Sequence, residues 1–243
     1  MKIVNAVWEK RNIGVTTIEI TIDKKDAISD IEKMLMSTEA EYIVVRLPID
    51  KIDVSYMLQK MNYVYIETMY HLIYHVSPEE FICKTDVNDI DYKFQPVNEE
   101  GEQVIYQKIK EGMFRTDRIY VDPWFPREAS ARRYVYWLQD EVNRGAELFE
   151  LCWKDNPVGF VALQHNYDEY HMFLYGIYPS YQGRGFSLVL SELLKQNVIS
   201  RGGKTITTDV SSNNLASLRS RLQSGYLLDN SLYIYVKHIE ERR

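Results

Sequence analysis

The stretch IYPSYQGRGFSLVLSELL, residues 177–194, decides the reading of this chain. It runs from an apolar strand end at Ile177, Tyr178 and Pro179, through a turn holding Gly183 and Gly185, into helix formers that extend over 186–200. Two glycines strip the turn of side chains and leave backbone N–H groups facing outward. The dipole of the following helix adds about half a positive charge at the same place. A phosphate or pyrophosphate is the expected guest. The segment is neither a Walker A loop nor a dinucleotide fingerprint, because G-x-x-x-x-G-K-[ST] and G-x-G-x-x-G are both absent. The same glycines would also suit a turn that merely caps a helix.

Downstream, TITTDVS (205–211) reads as a strand, NLASLRSRLQS (214–224) as a helix and LLDNSLYIYVKH (227–238) as a strand. Upstream, AELFELCWK (146–154), PVGFVALQH (157–165) and YHMFLYGIYP (170–179) alternate as strands joined by tight turns, which predicts an antiparallel meander. Helical spacing covers 99–113 and 131–145, separated by the proline-punctuated loop RTDRIYVDPWFPREAS (115–130). The first 76 residues alternate strand and helix as β-α-β-α-β: strands at 15–22, 41–49 and 63–76, helices at 27–37 and 54–61. Residues 76–93 lose periodicity and turn acidic, so a boundary is placed near residue 90. This divides the chain into a smaller α/β unit (1–90) and a larger α+β or α/β unit with a central sheet (91–243). The two units echo each other: LQKMNYVYIETMYHLIYHV (58–76) and LQSGYLLDNSLYIYVKHI (222–239) both run helix, turn, Tyr, strand. Asn62 stands where Gly225 stands, and both residue types tolerate positive φ.

A chain of 243 residues with 45% apolar content can bury a real core, and its formal charge of −6 offers no basic surplus for a nucleic-acid backbone. Nucleic acid and membrane are therefore not expected partners. Cys83 and Cys152 have neither metal-site nor redox spacing and read as small buried apolar residues. MKIVNAVWEK lacks the apolar core of a secretory signal, and no stretch approaches 18 apolar residues, so a cytoplasmic location is expected.

IYPSYQGRGFS (177–187) resembles the acetyl-CoA motif of the GCN5-related N-acetyltransferase (GNAT) superfamily, V-x-P-x-x-R/Q-x-x-G-x-G/A. Gln182 and Gly185 match, and Ser187 replaces the last small residue. NLASLRSRLQSGY (214–226) resembles the family's second motif, with Asn214, a small residue three positions on, and a Gly-aromatic pair closing the helix. The likeness spans about 94–239. WEKRNIGVTTIEI (8–20), the segment 114–145 and the helix end LQSG also look like the TDP-fucosamine acetyltransferase group, whose members acetylate the amino sugar of a nucleotide-sugar.

The resemblance implies a GNAT fold, a mixed and mostly antiparallel sheet flanked by helices, preceded by a smaller β-α-β-α-β unit that reads as a truncated GNAT-like one. It implies acetyl-CoA as co-substrate, no metal, a small primary amine as acceptor, and direct transfer in a ternary complex; a homodimer stays open. Ile177, flanked by Tyr178 and Pro179, would meet the pantetheine arm through its backbone, and an N–H of 175–177 would serve as oxyanion donor. Gln182, Gly183, Arg184, Gly185, Phe186 and Ser187 would hold the pyrophosphate, with Asn214 and Ser217 nearby. The family's usual acid is a Tyr seven residues after the motif's Asn, and here that position is Arg221, a poor proton donor able to act only as a fixed cation. On the meander, His171 is the expected base and Tyr175 an expected site residue; both share a strand face with Phe173. Arg118, Tyr120, Asp122 and Trp124 combine charge and aromatic surface suited to a sugar acceptor. The missing Tyr keeps a non-catalytic acetyl-CoA-binding module open as a second reading, and another acyl or acceptor preference as a third.

Overall fold

Alternating apolar residues in 147–177 fold as three antiparallel strands because period-two patterning gives each strand one face to bury. In the computed structural model, which describes residues 1–76 and 91–239, these strands belong to one ten-stranded sheet. Chain order is β1 (Lys2–Asn5), α1 (Trp8–Ile13), β2 (Thr17–Thr21), α2 (Ile28–Met36), β3 (Tyr42–Pro48), α3 (Ile52–Lys60) and β4 (Val64–His75). There follow β5 (Tyr92–Pro96), α4 (Glu99–Lys110), α5 (Arg118–Val121), α6 (Arg127–Asn143), β6 (Glu147–Trp153), β7 (Asn156–Asn166) and β8 (Glu169–Ile177). A 3₁₀ turn (Pro179–Tyr181) leads to α7 (Phe186–Ser200), β9 (Thr205–Ser211), α8 (Leu215–Gln223) and β10 (Leu227–His238).

The strands lie in the order β1-β2-β3-β10-β4-β9-β8-β7-β6-β5. Among the described residues, only β2/β3 and β8/β9 are parallel. The mixed, mostly antiparallel sheet expected from the sequence is present, with helices packed on it. Val189, Leu190, Leu194 and Val198 of α7 bury against Val161, Leu163 and Met172. Ile105 and Ile109 of α4, with Val135 and Leu138 of α6, bury against Phe160, Ala162 and Leu174. Each such aliphatic side chain contributes about 1.5–3 kcal/mol of burial.

The echo between the halves is structural. Asn62 (φ 62°) and Gly225 (φ 88°) both turn the chain in the left-handed region, and the tyrosines that follow, Tyr63 and Tyr226, are both buried. Each pair is 163 residues apart in sequence (225 − 62 and 226 − 63). Strands β4 and β10 pair antiparallel, with Val64 opposite Val236 and Leu227 opposite Ile73, and the register skips Ile66 on one strand and Asp229 on the other, again 163 residues apart (229 − 66). β1-β2-α2-β3-α3-β4 thus repeats as β7-β8-α7-β9-α8-β10 about a pseudo-twofold between β4 and β10. Each repeat lends its last strand to the other: β10 sits between β3 and β4, and β4 between β10 and β9.

Four short elements were not legible in the sequence: β1, α1, β5 and α5. Each is six residues or shorter, too brief to display a period. The segment read as a loop over 115–130 holds α5, whose N-terminus is capped by Asp117 accepting from Ile119 N–H at 3.0 Å, and the first turn of α6, which follows Pro126. Of the expected linker, 77–90 lies outside the described residues, as does Cys83. Cys152 is buried, and burial pushes its thiol up to about 11. No described helix is long and apolar enough to cross a membrane.

Candidate active site

The two parallel pairs differ where it matters. β2 and β3 stay paired from Thr17/Tyr42 to Thr21/Arg46, whereas β8 pairs with β9 only from Glu169/Thr205 to His171/Thr207 and then parts from it. At the parting, the β7–β8 register jumps from Leu174 to Met172, so Phe173 is bulged. A bulge re-aims the strand: Met172 C=O faces β9 and accepts from Thr208 Oγ1 at 2.8 Å. Past it, Tyr178 N–H donates to Val158 C=O on β7 at 2.8 Å. Strand alternation therefore turns the N–H groups of Tyr175 and Ile177 toward the opening.

The turn beyond that opening has the shape of an anion cradle. Gly183 (φ 74°) and Gly185 (φ 85°) both need the left-handed region, and a Cβ on either would meet nothing within 4 Å. The glycines answer a backbone requirement beside open space rather than a packing one. Gly185 is the N-cap of α7, so the N–H groups of the first turn have no intrahelical acceptor. The pyrophosphate of acetyl-CoA fits this cradle by its chemistry. Arg184 is exposed, with its guanidinium 5.8 Å from the Tyr181 ring centre. Gln182 donates from Nε2 to Ile177 C=O at 2.9 Å and so braces the strand end. Tyr178 and Phe186 put their side chains into the core, Pro179 starts the 3₁₀ turn, and any contact from Tyr178 or Phe186 is left to the backbone. Ser187 Oγ meets Ser220 Oγ at 2.5 Å. Asn214 caps α8 by accepting from Ser217 N–H at 3.1 Å, and Ser217 Oγ hydrogen-bonds the Tyr175 hydroxyl.

Arg221 is fully buried. Its Nη2 donates to Ser187 C=O at 3.0 Å and to Ser187 Oγ at 3.1 Å, tying α8 to the first turn of α7.

On the other side of the opening lies a cavity of about 380 Å³. Its wall takes His171, Phe173 and Tyr175 from β8, together with Asn214 and Ser217; the single strand face expected for the three is broken by the bulge, which puts Met172 and Leu174 into cores on opposite sides of the sheet. Phe114, Tyr134 and Trp137 add aromatic surface, and Arg46, Glu67, Asp117, Arg118, Arg133 and Asp209 add charge. Burial lowers the His171 imidazole below its ordinary value, against the pull of Asp209, so it is neutral at pH 7. Its Nδ1 shares a 3.0 Å hydrogen bond with Thr207 Oγ1, and its Nε2 lies 3.8 Å from Asp209 Oδ2. Arg118 is nearly buried in a network with Glu19 (2.5 Å) and Glu9 (3.5 Å); Arg46 also reaches Glu19 and Arg133 reaches Glu9.

Of the four loop residues expected at the acceptor, Arg118 alone lines this cavity. Tyr120 lies under the Arg127 guanidinium, Asp122 is buried and accepts from His238 Nε2 at 2.8 Å, and Trp124 stacks on the His238 ring at 4.5 Å. Asp122 and Trp124 thus hold the end of β10, and Tyr120 packs against the first turn of α6. Glu67, Arg46, Asp117 and Asp209 were missed. Asp209 had a signal, a carboxylate on the strand partner of β8, but Glu67 and Arg46 lie in the other half of the chain and had none.

Residues 113–221 match the model of the acetyltransferase (GNAT) family. The fold is that of the GNAT proteins. The chain is similar to the crystal structure of a GCN5-related N-acetyltransferase from Sphaerobacter thermophilus, with TM-score 0.68 and 12% identity over 99% of this chain and 76% of that one. A tandem GNAT protein from the clavulanic acid biosynthesis pathway aligns with TM-score 0.57 and 10% identity, covering 93% of this chain and 76% of its own. A GCN5-related glucosamine N-acetyltransferase region of a fungal multi-domain GH3 β-N-acetylglucosaminidase aligns with TM-score 0.61 and 12% identity, covering 81% of this chain and 25% of that chain. No curated protein sequence matches significantly.

Proposed function

We propose that this GNAT-fold protein is an acetyl-CoA-dependent N-acetyltransferase that moves an acetyl group directly to the primary amine of a small molecule. The observation that carries the reading is the parting of β8 from β9 after His171/Thr207, with the glycine cradle at one end and a charged, aromatic-walled cavity beside it. The pantetheine arm lies in that gap, and the N–H of Tyr175 or Ile177 donates to the thioester oxygen as charge develops there. Gln182 to Ser187 hold the pyrophosphate through backbone N–H groups, and Arg184 adds charge. Tyr175 presents its hydroxyl at the cavity wall beside Ser217 and returns a proton to the departing sulfur, the role that Arg221 cannot take from its buried position. His171, held by Thr207, orients the acceptor from the same cavity wall.

The acceptor reading follows from charge. The cavity wall holds Arg46, Arg118 and Arg133 with Glu67, Asp117 and Asp209, and Glu9 and Glu19 lie behind it bonded to the three arginines, so with this backing carboxylates outnumber guanidiniums. That balance favours a cationic amine over an anionic acceptor. The aromatic wall of Trp137, Phe173 and Tyr134 suits a sugar ring, which makes an amino sugar the first acceptor to try; the glucosamine N-acetyltransferase region among the similar folds supports the same choice. A nucleotide-linked amino sugar would bring phosphates into this acidic surround and ranks below the free one.

The test is release of free thiol from acetyl-CoA with glucosamine, spermidine and a peptide N-terminus offered in turn. Acetyl-CoA that stabilises the protein without thiol release for any amine would favour the binding-module reading instead.

A further inference from the structure

Within the cavity, few groups are able to accept a proton from an incoming amine. His171 has Nδ1 engaged by Thr207 Oγ1 and Nε2 directed at Asp209. Asp117 accepts from Ile119 N–H at 3.0 Å and from Ser130 Oγ at 2.5 Å. Asp209 takes a 2.9 Å bond from His71 Nδ1; burial works to raise its carboxyl, but the His71 bond wins and holds it low, so it is a weak base. Glu67 differs from all three. It is 2% exposed, yet it lines the cavity, and its Oε2 alone has a protein partner among the described residues, Ser211 Oγ at 2.5 Å. Oε1 is left for a ligand. Ser211 ends β9, where that strand has already parted from β8, three residues before Asn214.

We propose that Glu67, supplied by the first repeat of the chain, is the general base of the acetyl transfer. The proposal rests on the acetyltransferase reading above. The acceptor enters as an ammonium, and the Glu67 carboxylate takes one proton from it. The freed amine forms the new N–C bond as the C–S bond of the thioester breaks. The second nitrogen proton is lost as the sulfur gains one from Tyr175, which is reprotonated, and Glu67 passes its own proton to water. Charge and atoms balance, and no further reactant is needed.

The surroundings suit the task. Burial pushes the Glu67 carboxyl above the ordinary carboxylate range, while the bond from Ser211 and the charges of Arg118 and Arg46 pull it back and Asp117 pushes it up again. A base whose affinity for protons lies nearer the working pH transfers them more effectively. The arrangement also gives the interleaved sheet a chemical consequence: β4 sits against β9 because the repeats exchange their last strands, and that exchange delivers Glu67 to the other repeat's opening.

The experiment compares kcat against pH for the full chain and for Glu67→Gln, Ser211→Ala and His171→Asn, using the best acceptor among glucosamine, spermidine and a peptide N-terminus. Glu67→Gln is expected to lower kcat about 100-fold or more and to abolish the acid limb, while the thermal shift given by acetyl-CoA stays intact. Ser211→Ala removes a bond to the charged form, so the limb moves to higher pH if Glu67 sets it. Activity within threefold in Glu67→Gln with the limb retained, or a limb abolished only in His171→Asn, overturns the proposal. Should Glu67→Gln fail to fold, an unmoved limb in Ser211→Ala overturns it equally. No thiol release by the unmodified chain with any amine overturns the acetyltransferase reading, and with it this one.

Discussion

The guanidinium of Arg221 stands 4.7 Å from the ring centre of Tyr175, yet Tyr175 lines the cavity and Arg221 does not. The cation reaches the site only through that ring and through Ser187. Two variants separate these roles. Tyr175→Phe keeps the ring over the cation and removes the hydroxyl, so kcat should fall by about 10²-fold with little change in the KM for acetyl-CoA. Arg221→Ala removes a buried side chain, its bonds to Ser187 and its contact with Tyr226 at 5.6 Å. Its expected cost is about 2–4 kcal/mol, a drop of roughly 5–15 °C in Tm. Calorimetry that finds Arg221→Ala as stable as the parent, with only kcat lost, would return Arg221 to direct catalysis.

Gly185→Asp places a Cβ at φ 85° and a carboxylate at the N-terminus of α7. The left-handed backbone costs a non-glycine residue about 1–2 kcal/mol, and the new charge opposes a pyrophosphate. The variant should fold, unfold a few degrees earlier and lose the stabilisation by acetyl-CoA. A normal thermal shift would remove the turn from the binding site.

Glu19 ties the two halves through Arg118, and Arg46 of its own half holds the same carboxylate. Its burial would raise the carboxyl, but the two guanidiniums win and hold it down from 4.5 to about 2. A depressed folded value means that the stabilisation is complete above pH 4.5 and disappears as the pH falls toward 2, to the extent of roughly 3 kcal/mol. Urea midpoints measured from pH 6 to pH 3 should therefore fall for the parent more steeply than for Glu19→Gln. Parallel curves would show that the network gains nothing from Glu19 being charged.

Much of this was legible in sequence order. The limits of α7, β9 and β10 coincide with the strand and helix patterns at 186–200, 205–211 and 227–238, because long amphipathic periods are set locally. That His171, Phe173 and Tyr175 all reach one cavity does not follow from period two, because the bulge at Phe173 breaks the alternation and sends Met172 and Leu174 to opposite sides of the sheet. What was not legible depends on pairing between distant strands. Nothing in ETMYH, residues 67–71, says that this strand lies against β9, so Glu67 looked like an ordinary strand residue. Asp122 and Trp124 looked like acceptor contacts because composition cannot show direction; His238, more than a hundred residues later, takes them both.

The strand exchange makes the boundary near residue 90 testable. β10 pairs along one side with β3, from Leu232/Pro48 to His238/Tyr42, and along the other with β4. A fragment starting at residue 91 would keep β5 to β9, but β9 would lose β4 and β10 would have no neighbour on either edge. Two unpaired edges with buried Ile234, Tyr235 and Val236 between them invite association with other chains. The fragment 91–243 alone should aggregate or melt without a cooperative transition, and fragment 1–90 should behave likewise. Co-expressed, the two should associate and recover one transition and the acetyl-CoA shift, since every strand pair is restored. A fragment 91–243 that is monomeric, melts cooperatively and binds acetyl-CoA would mean that β10 can return to β9 by itself, and that the two repeats are separable domains.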